Sequence, residues 1–261
     1  MIAAVVPAKR LDEAKGRLSV LLTPDERRRL ALAMLEDVIR ALQAVPRIDL
    51  VAVVSPDAAA LDRATALGAE PLVEPPLVRG VNQALSQAAA VLADQGAGTL
   101  LVVAADIPSA LPADIEALLD ALPARGIAIC PTEDRGTGAL ALRPPDVVPF
   151  RYGRHSSVLH KREAVARRLP ARVLHAASLA RDVDEPRDLA QLLGRPAETA
   201  THRLLSELGI AERLAGAVAS PPATSRRPSC ESSSPPPAPP PRPTTAAPGA
   251  SSKPGRNRGS A

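Results

Sequence analysis

The run Leu100-Leu101-Val102-Val103-Ala104-Ala105-Asp106-Ile107-Pro108 is unbroken apolar chain up to a single carboxylate. A strand that is apolar on both faces is buried on both, as strands are in a parallel sheet covered by helices. An acid just beyond its carboxyl end then projects from the edge at which open α/β sheets bind their ligands.

The same alternation extends outward from this run in both directions. Upstream, Ile2 to Val6, Leu50 to Val54 and Glu70 to Val73 read as strands. They are separated by helical segments over Pro24 to Leu42, Ala58 to Leu67 and Val81 to Ala93. Thr23 is placed to cap the first helix, with Pro24 at its first position and acids in its first turn, and Gly68 stops the second. Downstream, Pro112 to Leu122 reads as a helix, and Ile127 to Cys130 and Ala139 to Leu142 as strands. Ser157 to Arg168 reads as a helix, Arg172 to Leu174 as a strand, and Pro186 to Leu193 and Thr201 to Leu214 as two closing helices. The expectation is an α/β fold in three layers, a mostly parallel sheet with helices on both faces.

Composition divides the 261 residues in two. Residues 1–217 carry this pattern. From residue 218 to 261 the chain is Pro, Ser, Ala, Thr and Arg with almost no large apolar side chains, too little to offset its ordering entropy, so a disordered tail is expected there. The overall charge of +4 belongs to that tail, which holds six basic residues and one acid, leaving the remainder at −1. With Phe150 and Tyr152 the only aromatic residues, neither a polyanion surface nor base-stacking platforms are present, which argues against nucleic acid as a partner. The two cysteines, Cys130 and Cys230, have no metal-ligand or disulfide pattern, and no apolar stretch reaches a membrane span. A cytoplasmic setting without membrane attachment is expected.

Candidate chemistry gathers at the ends of the expected strands. Pro7-Ala8-Lys9-Arg10, followed by Lys15 and Arg17, sets four cations in one loop, suited to a triphosphate or equally to a solvated connection with Asp12 and Glu13 as partners. Asp106 is placed to hold magnesium or to cap the next helix. Asp182 and Asp184, on one side of an extended Asp-x-Asp-x-Pro run, are costly together without a cation, though acids are also favoured at a helix start. Gly136-Thr137-Gly138 could bring backbone amides close to an anion, or simply turn. In Tyr152-Gly153-Arg154-His155-Ser156, free N–H groups at a helix start, Arg154 and the Ser156 hydroxyl could face a phosphate or carboxylate, against ordinary capping. His160 reads as a surface histidine. Asn82, after Gly80, could meet a purine base or cap its helix.

Taken in order, Val6-Pro7-Ala8-Lys9 with Lys15-x-Arg17-Leu18, Gly80-x-Asn82, Ala105-Asp106-Ile107-Pro108, Gly136-Thr137-Gly138, Tyr152-Gly153-x-x-Ser156-x-x-x-His160 and Asp182-x-Asp184-x-Pro186-x-Asp188-Leu189 resemble the phosphoenolpyruvate/2-phospho-L-lactate guanylyltransferases. The resemblance spans roughly Met1 to Leu193. It implies a GT-A-like nucleotidyltransferase fold (nucleotide-diphospho-sugar transferase-like) and transfer of GMP from GTP to phosphoenolpyruvate in the making of the deazaflavin coenzyme factor 420. The alternative acceptors are 2-phospho-L-lactate and 3-phosphoglycerate. By the same resemblance Asp106, Asp182 and Asp184 would bind Mg2+, and Thr137, Gly153 and Ser156 the phosphoacid. Pro7, Lys9, Gly80 and Asn82 would face the nucleotide, and Lys9, Lys15 and Arg17 would stabilise the departing pyrophosphate. A homodimer and the next transferase of the pathway are the protein partners it allows. Two places depart from the pattern: the chain passes from Gly138 straight to Ala139-Leu140, so that the loop is either shortened or has Gly138 in place of a polar side chain, and His155 replaces a usual glycine. From another functional class, a non-catalytic GTP-binding regulator would share the nucleotide features but release no pyrophosphate.

Overall fold

The computed structural model describes residues 1–12, 14–75, 80–195 and 197–219. Seven strands form one sheet: β1 (Ile2–Pro7), β2 (Leu50–Ser55), β3 (Glu70–Val73), β4 (Thr99–Val103), β5 (Gly126–Pro131), β6 (Thr137–Arg143) and β7 (Ala171–Val173). Their spatial order is β3-β2-β1-β4-β6-β5-β7. All pairings are parallel except those of β6, which runs against both β4 and β5. The reversal follows from the short connection between β5 and β6, where Thr132 N–H donates to the Gly136 carbonyl across a tight turn, and so short a link can join only antiparallel strands.

Strand alternation divides the core between the two faces. Ala4, Val6, Leu101 and Val103 point to one side, where they meet α1 (Pro24–Gln43), α2 (Ala58–Ala66) and α4 (Pro112–Ala121). Ala3, Val5, Leu100 and Val102 point to the other, against α3 (Val81–Asp94), α5 (Ser156–Ala166) and the segment through Val147, Val148 and Phe150. A third cluster packs the outer side of α1 against a 3-10 turn over Gly16–Val20 and against α6 (Pro186–Leu193), α7 (Ala200–Glu207) and α8 (Ile210–Ala219). Thr23 caps α1 in a reciprocal box with Glu26, as its sequence implies. The buried Asp37 of α1 accepts from the N–H groups of Ala200 and Thr201 and so holds the start of α7.

Two expectations are revised. The single helix over Thr201 to Leu214 is two helices, parted at Gly209, whose φ of +60° ends α7 in a left-handed cap. The helix expected from Ser157 begins at Ser156, behind His155 in the left-handed region at φ +57°. The last helix, α8, continues to Ala219; the rest of the expected tail lies outside the described residues. Among the described residues no helix is long and apolar enough to cross a membrane.

Candidate active site

Because β6 runs backwards, its first residue, Thr137, lies at the same sheet edge as the carboxyl ends of β1 and β4. Three loops meet there. The one after β1 carries Lys9, Lys15 and Arg17, the one after β4 carries Asp106, and the one leading to α6 carries Asp182 and Asp184. The last two are stitched together by the Val183 N–H, which donates to the Asp106 carbonyl at 3.0 Å. Asp188, in the first turn of α6, accepts from the N–H groups of Asp184 (3.0 Å) and Glu185 (2.7 Å), fixing the backbone that presents both acids.

The structure brings the three predicted aspartates together. One oxygen from each of Asp106, Asp182 and Asp184 lies within 4.8 Å of the others, and all three residues are half-buried. Three hard oxygen donors at this spacing are a donor set for a divalent cation of the magnesium or calcium type. The Lys15 ammonium supplies the positive charge locally, with Nζ 3.0 Å from Asp106 Oδ2 and 2.8 Å from Asp184 Oδ1 and a side chain only 7% exposed. Burial works against the charge on Lys15, yet the two carboxylates together outweigh it and hold the amine above its ordinary value. Asp182 has no such ion pair among the described residues. Burial first, then the charges of Asp106 and Asp184, push its carboxyl up to about 6.

Beside the carboxylates opens a cleft of about 320 Å³, lined by Asp182 and Asp184 and by Arg17, Arg181, Arg187 and Arg195. Arg17 is 72% exposed and reaches Glu185, which also takes Arg187. Lys9 is exposed at the head of its loop, beyond Pro7. The four cations expected in one loop therefore divide: Lys15 is folded inward onto the acids, while Lys9, Arg10 and Arg17 face outward. Of the local acids weighed as their partners, Glu13 lies outside the described residues.

The second half of the site departs from the sequence-based picture. The amides expected to be free at the start of α5 are used: Ser156 N–H donates to the Gly153 carbonyl and Ser157 N–H to that of Arg135. In the Gly136-Thr137-Gly138 segment, the Gly136 N–H is already used, donating to Asp134 within the turn. Gly138 is there for close approach: a Cβ on it would lie 1.9 Å from the Leu179 carbonyl oxygen, so no polar side chain fits. His160 is wholly buried rather than on the surface, bonded to Thr137 Oγ1 at 3.2 Å and accepting from the Arg151 N–H at 2.9 Å. Burial brings its pKa down to about 4.

Thr137 Oγ1 in turn lies 2.8 Å from Ser156 Oγ, both residues being buried. Gly153 has φ +130°, a conformation that side chains avoid, with open space where a Cβ would be. Gly80 caps α3 at φ +79°, next to residues 76–79, which lie outside the described set. Asn82, expected to meet a purine, has both amide atoms on the Tyr152 backbone. Its Nδ2 donates to the Tyr152 carbonyl at 3.0 Å, and Tyr152 N–H donates to its Oδ1 at 2.6 Å. It thus ties α3 to the loop that carries Gly153 and leads into α5 at Ser156.

Comparison with known proteins places these features in a family context. A family model described as guanylyl transferase, CofC-like, matches residues 2–220. A phosphoenolpyruvate guanylyltransferase of Sphaerobacter thermophilus is 45% identical over 192 residues, covering 73% of this chain and 92% of that protein. A 2-phospho-L-lactate guanylyltransferase of Methanocaldococcus jannaschii is 31% identical over 207 residues, covering 79% and 88%. Among solved structures, a candidate nucleotide-diphospho-sugar transferase from Desulfovibrio desulfuricans G20 superposes with a TM-score of 0.67 at 18% identity, covering 81% of this chain and 97% of that one. The last of these bears on fold alone and agrees with the expected GT-A-like architecture.

Proposed function

Since the chain belongs to the CofC-like guanylyltransferase family, a family of nucleotidyltransferases, we propose that it joins GMP from GTP to phosphoenolpyruvate, giving enolpyruvoyl-2-diphospho-5'-guanosine and pyrophosphate. The observation that carries the reading is the convergence of Asp106, Asp182 and Asp184 on one point, beside a buried lysine and an arginine-lined cleft. A role in making the deazaflavin coenzyme factor 420 goes with the family resemblance.

In the proposed reaction an oxygen of the acceptor phosphate attacks the α-phosphorus of GTP. A new P–O–P bridge forms, the bond from the α-phosphorus to the oxygen bridging it to the β-phosphorus breaks, and pyrophosphate leaves with that electron pair. Held by the three aspartates, Mg2+ would neutralise the approaching phosphates and favour in-line attack. The chain's own groups do the rest. Asp188 and the Val183–Asp106 backbone bond keep the carboxylates in register. We assign Lys15, which pairs with Asp106 and Asp184, together with the exposed Lys9 and Arg17 of the same loop, to stabilising charge on the leaving group. We assign Thr137, Gly153 and Ser156 to the acceptor acid. To the nucleotide side we assign Pro7, Lys9, Gly80 and Asn82, Asn82 acting through the loop it anchors. No general base is needed, because the acceptor phosphate is ionised at neutral pH.

The test is to supply GTP and Mg2+ with phosphoenolpyruvate, 2-phospho-L-lactate or 3-phosphoglycerate in turn, measuring pyrophosphate and the mass of the product. Phosphoenolpyruvate is expected to be the best acceptor. The M. jannaschii relative makes 2-phospho-L-lactate the second reading, and preference for it would overturn the first. GTP bound without pyrophosphate release under any acceptor would point to the regulatory class instead.

A further inference from the structure

The buried His160 controls how many hydroxyl protons the Thr137–Ser156 pair can offer outward. Its Nε2 faces the Arg151 backbone N–H at 2.9 Å, and a backbone amide can only donate, so Nε2 must carry a lone pair. A neutral imidazole then has its one proton on Nδ1, where the partner is Thr137 Oγ1 at 3.2 Å. Thr137 therefore accepts from the ring, and its own proton remains available. Between Thr137 Oγ1 and Ser156 Oγ, 2.8 Å apart, one proton makes the shared bond, and the pair as a whole keeps the other unspent. With the proton on Nε2 instead, Thr137 would donate to the ring and Ser156 to Thr137, and the chain would end in lone pairs alone. A chain ending in a proton attracts an oxyanion; one ending in lone pairs repels it.

We propose that His160 is a positioning residue for the acceptor acid: through its fixed Nδ1–H tautomer it turns the Thr137–Ser156 hydroxyl pair into a net donor toward the acceptor's phosphate or carboxylate oxygens. This rests on the assignment of Thr137 and Ser156 to the acceptor. The ring contributes no proton to the reaction and touches neither reactant. Its second bond, to the Arg151 amide, is what fixes the lone pair on Nε2 and with it the tautomer.

Two substitutions separate these bonds. The side-chain nitrogen of Asn falls near the position of Nδ1, so His160→Asn can still donate to Thr137. The end of a Gln side chain falls near Nε2, so His160→Gln can still receive the Arg151 amide but loses the donor to Thr137. His160→Gln is expected to raise the KM for the acceptor about tenfold or more, with the KM for GTP unchanged, and His160→Asn to stay within about threefold of wild type. In the wild-type full chain, ring nitrogen NMR shifts at neutral pH should show Nδ1 protonated and Nε2 bare. This readout does not depend on either variant folding. An Nε2–H tautomer, or a His160→Gln enzyme whose acceptor KM matches wild type, overturns the inference while leaving the proposed reaction intact. Equal rises in the GTP and acceptor KM values would also overturn it, by reducing His160 to a packing residue. Failure of the wild type to bind any of the three acids in calorimetry overturns the proposed reaction itself.

Discussion

Lys15 keeps its ammonium between Asp106 and Asp184, so without it three carboxylates share one small space and two of them lose their ion-pair partner. Lys15→Met is expected to lower stability in chelator by about 1–2 kcal/mol, less than for a fully buried pair because both acids are a third or more open to solvent. Saturating Mg2+ should restore the loss; urea unfolding with and without the ion reads it, and an equal deficit in both conditions would make Lys15 a packing residue only. Asp106→Asn removes one of the three donors and is expected to cut turnover by about a hundredfold or more, with an unchanged circular dichroism spectrum; near-normal turnover would end the metal assignment. Asp182 supplies a pH dependence. Its carboxyl is pushed from an ordinary 3.8 to about 6, so the folded state holds that proton more tightly than the unfolded chain does. The stability this gives the metal-free protein is complete below the ordinary value and is lost as pH rises through about 6. A divalent ion must displace the same proton, so affinity should climb with pH, by at most about tenfold per unit, and level off above that value. Calorimetric titration with Mg2+ from about pH 5 to about pH 8 would reveal a flat profile if Asp182 stays out of the site. The acids themselves were legible in the sequence, because a carboxylate just past a buried strand and an Asp-x-Asp-x-Pro run both announce a sheet edge. The inward turn of Lys15 was not, since it depends on a left-handed backbone at φ 55° that lysine seldom adopts.

At the scale of elements, the parallel half of the sheet could be read from unbroken apolar runs, whereas the reversal of β6 hung on a five-residue turn with no Asn-Gly or Asp-Gly signal. The burial of His160 was equally hidden. Residues Ser156–Ala166 show no apolar stripe, so periodicity could not indicate which side of α5 faces inward. Gly138 lies where β6 meets the loop before Asp182, and a methyl group there meets the Leu179 carbonyl. Gly138→Ala is therefore expected to cost about 1–3 kcal/mol and to weaken metal binding with it, because relief of the clash pushes the Asp182 loop away from β6. Thermal unfolding followed with and without Mg2+ would show the two losses together, and a variant as stable as wild type would mean that the loop yields freely.

For the molecule as a whole, the charge balance places the excess positive charge in residues 218–261 and leaves the remainder near neutral at −1. We propose that the nucleotidyltransferase unit ends near residue 217 and that the Pro- and Ser-rich segment is dispensable for turnover. A chain stopped after Ala219 should keep kcat and both KM values within about twofold; a larger fall would assign the segment a part in the reaction. The layered core explains why so much of the architecture was readable, since each face of the sheet is filled by alternate residues of the same strands. The contact that completes the site is of another kind, for the Val183 amide reaches back across more than a third of the described chain to the Asp106 carbonyl. During synthesis, Asp106 leaves the ribosome well before Asp182 and Asp184 have been translated. An unfinished polypeptide therefore lacks two of the three carboxylates proposed to hold the metal.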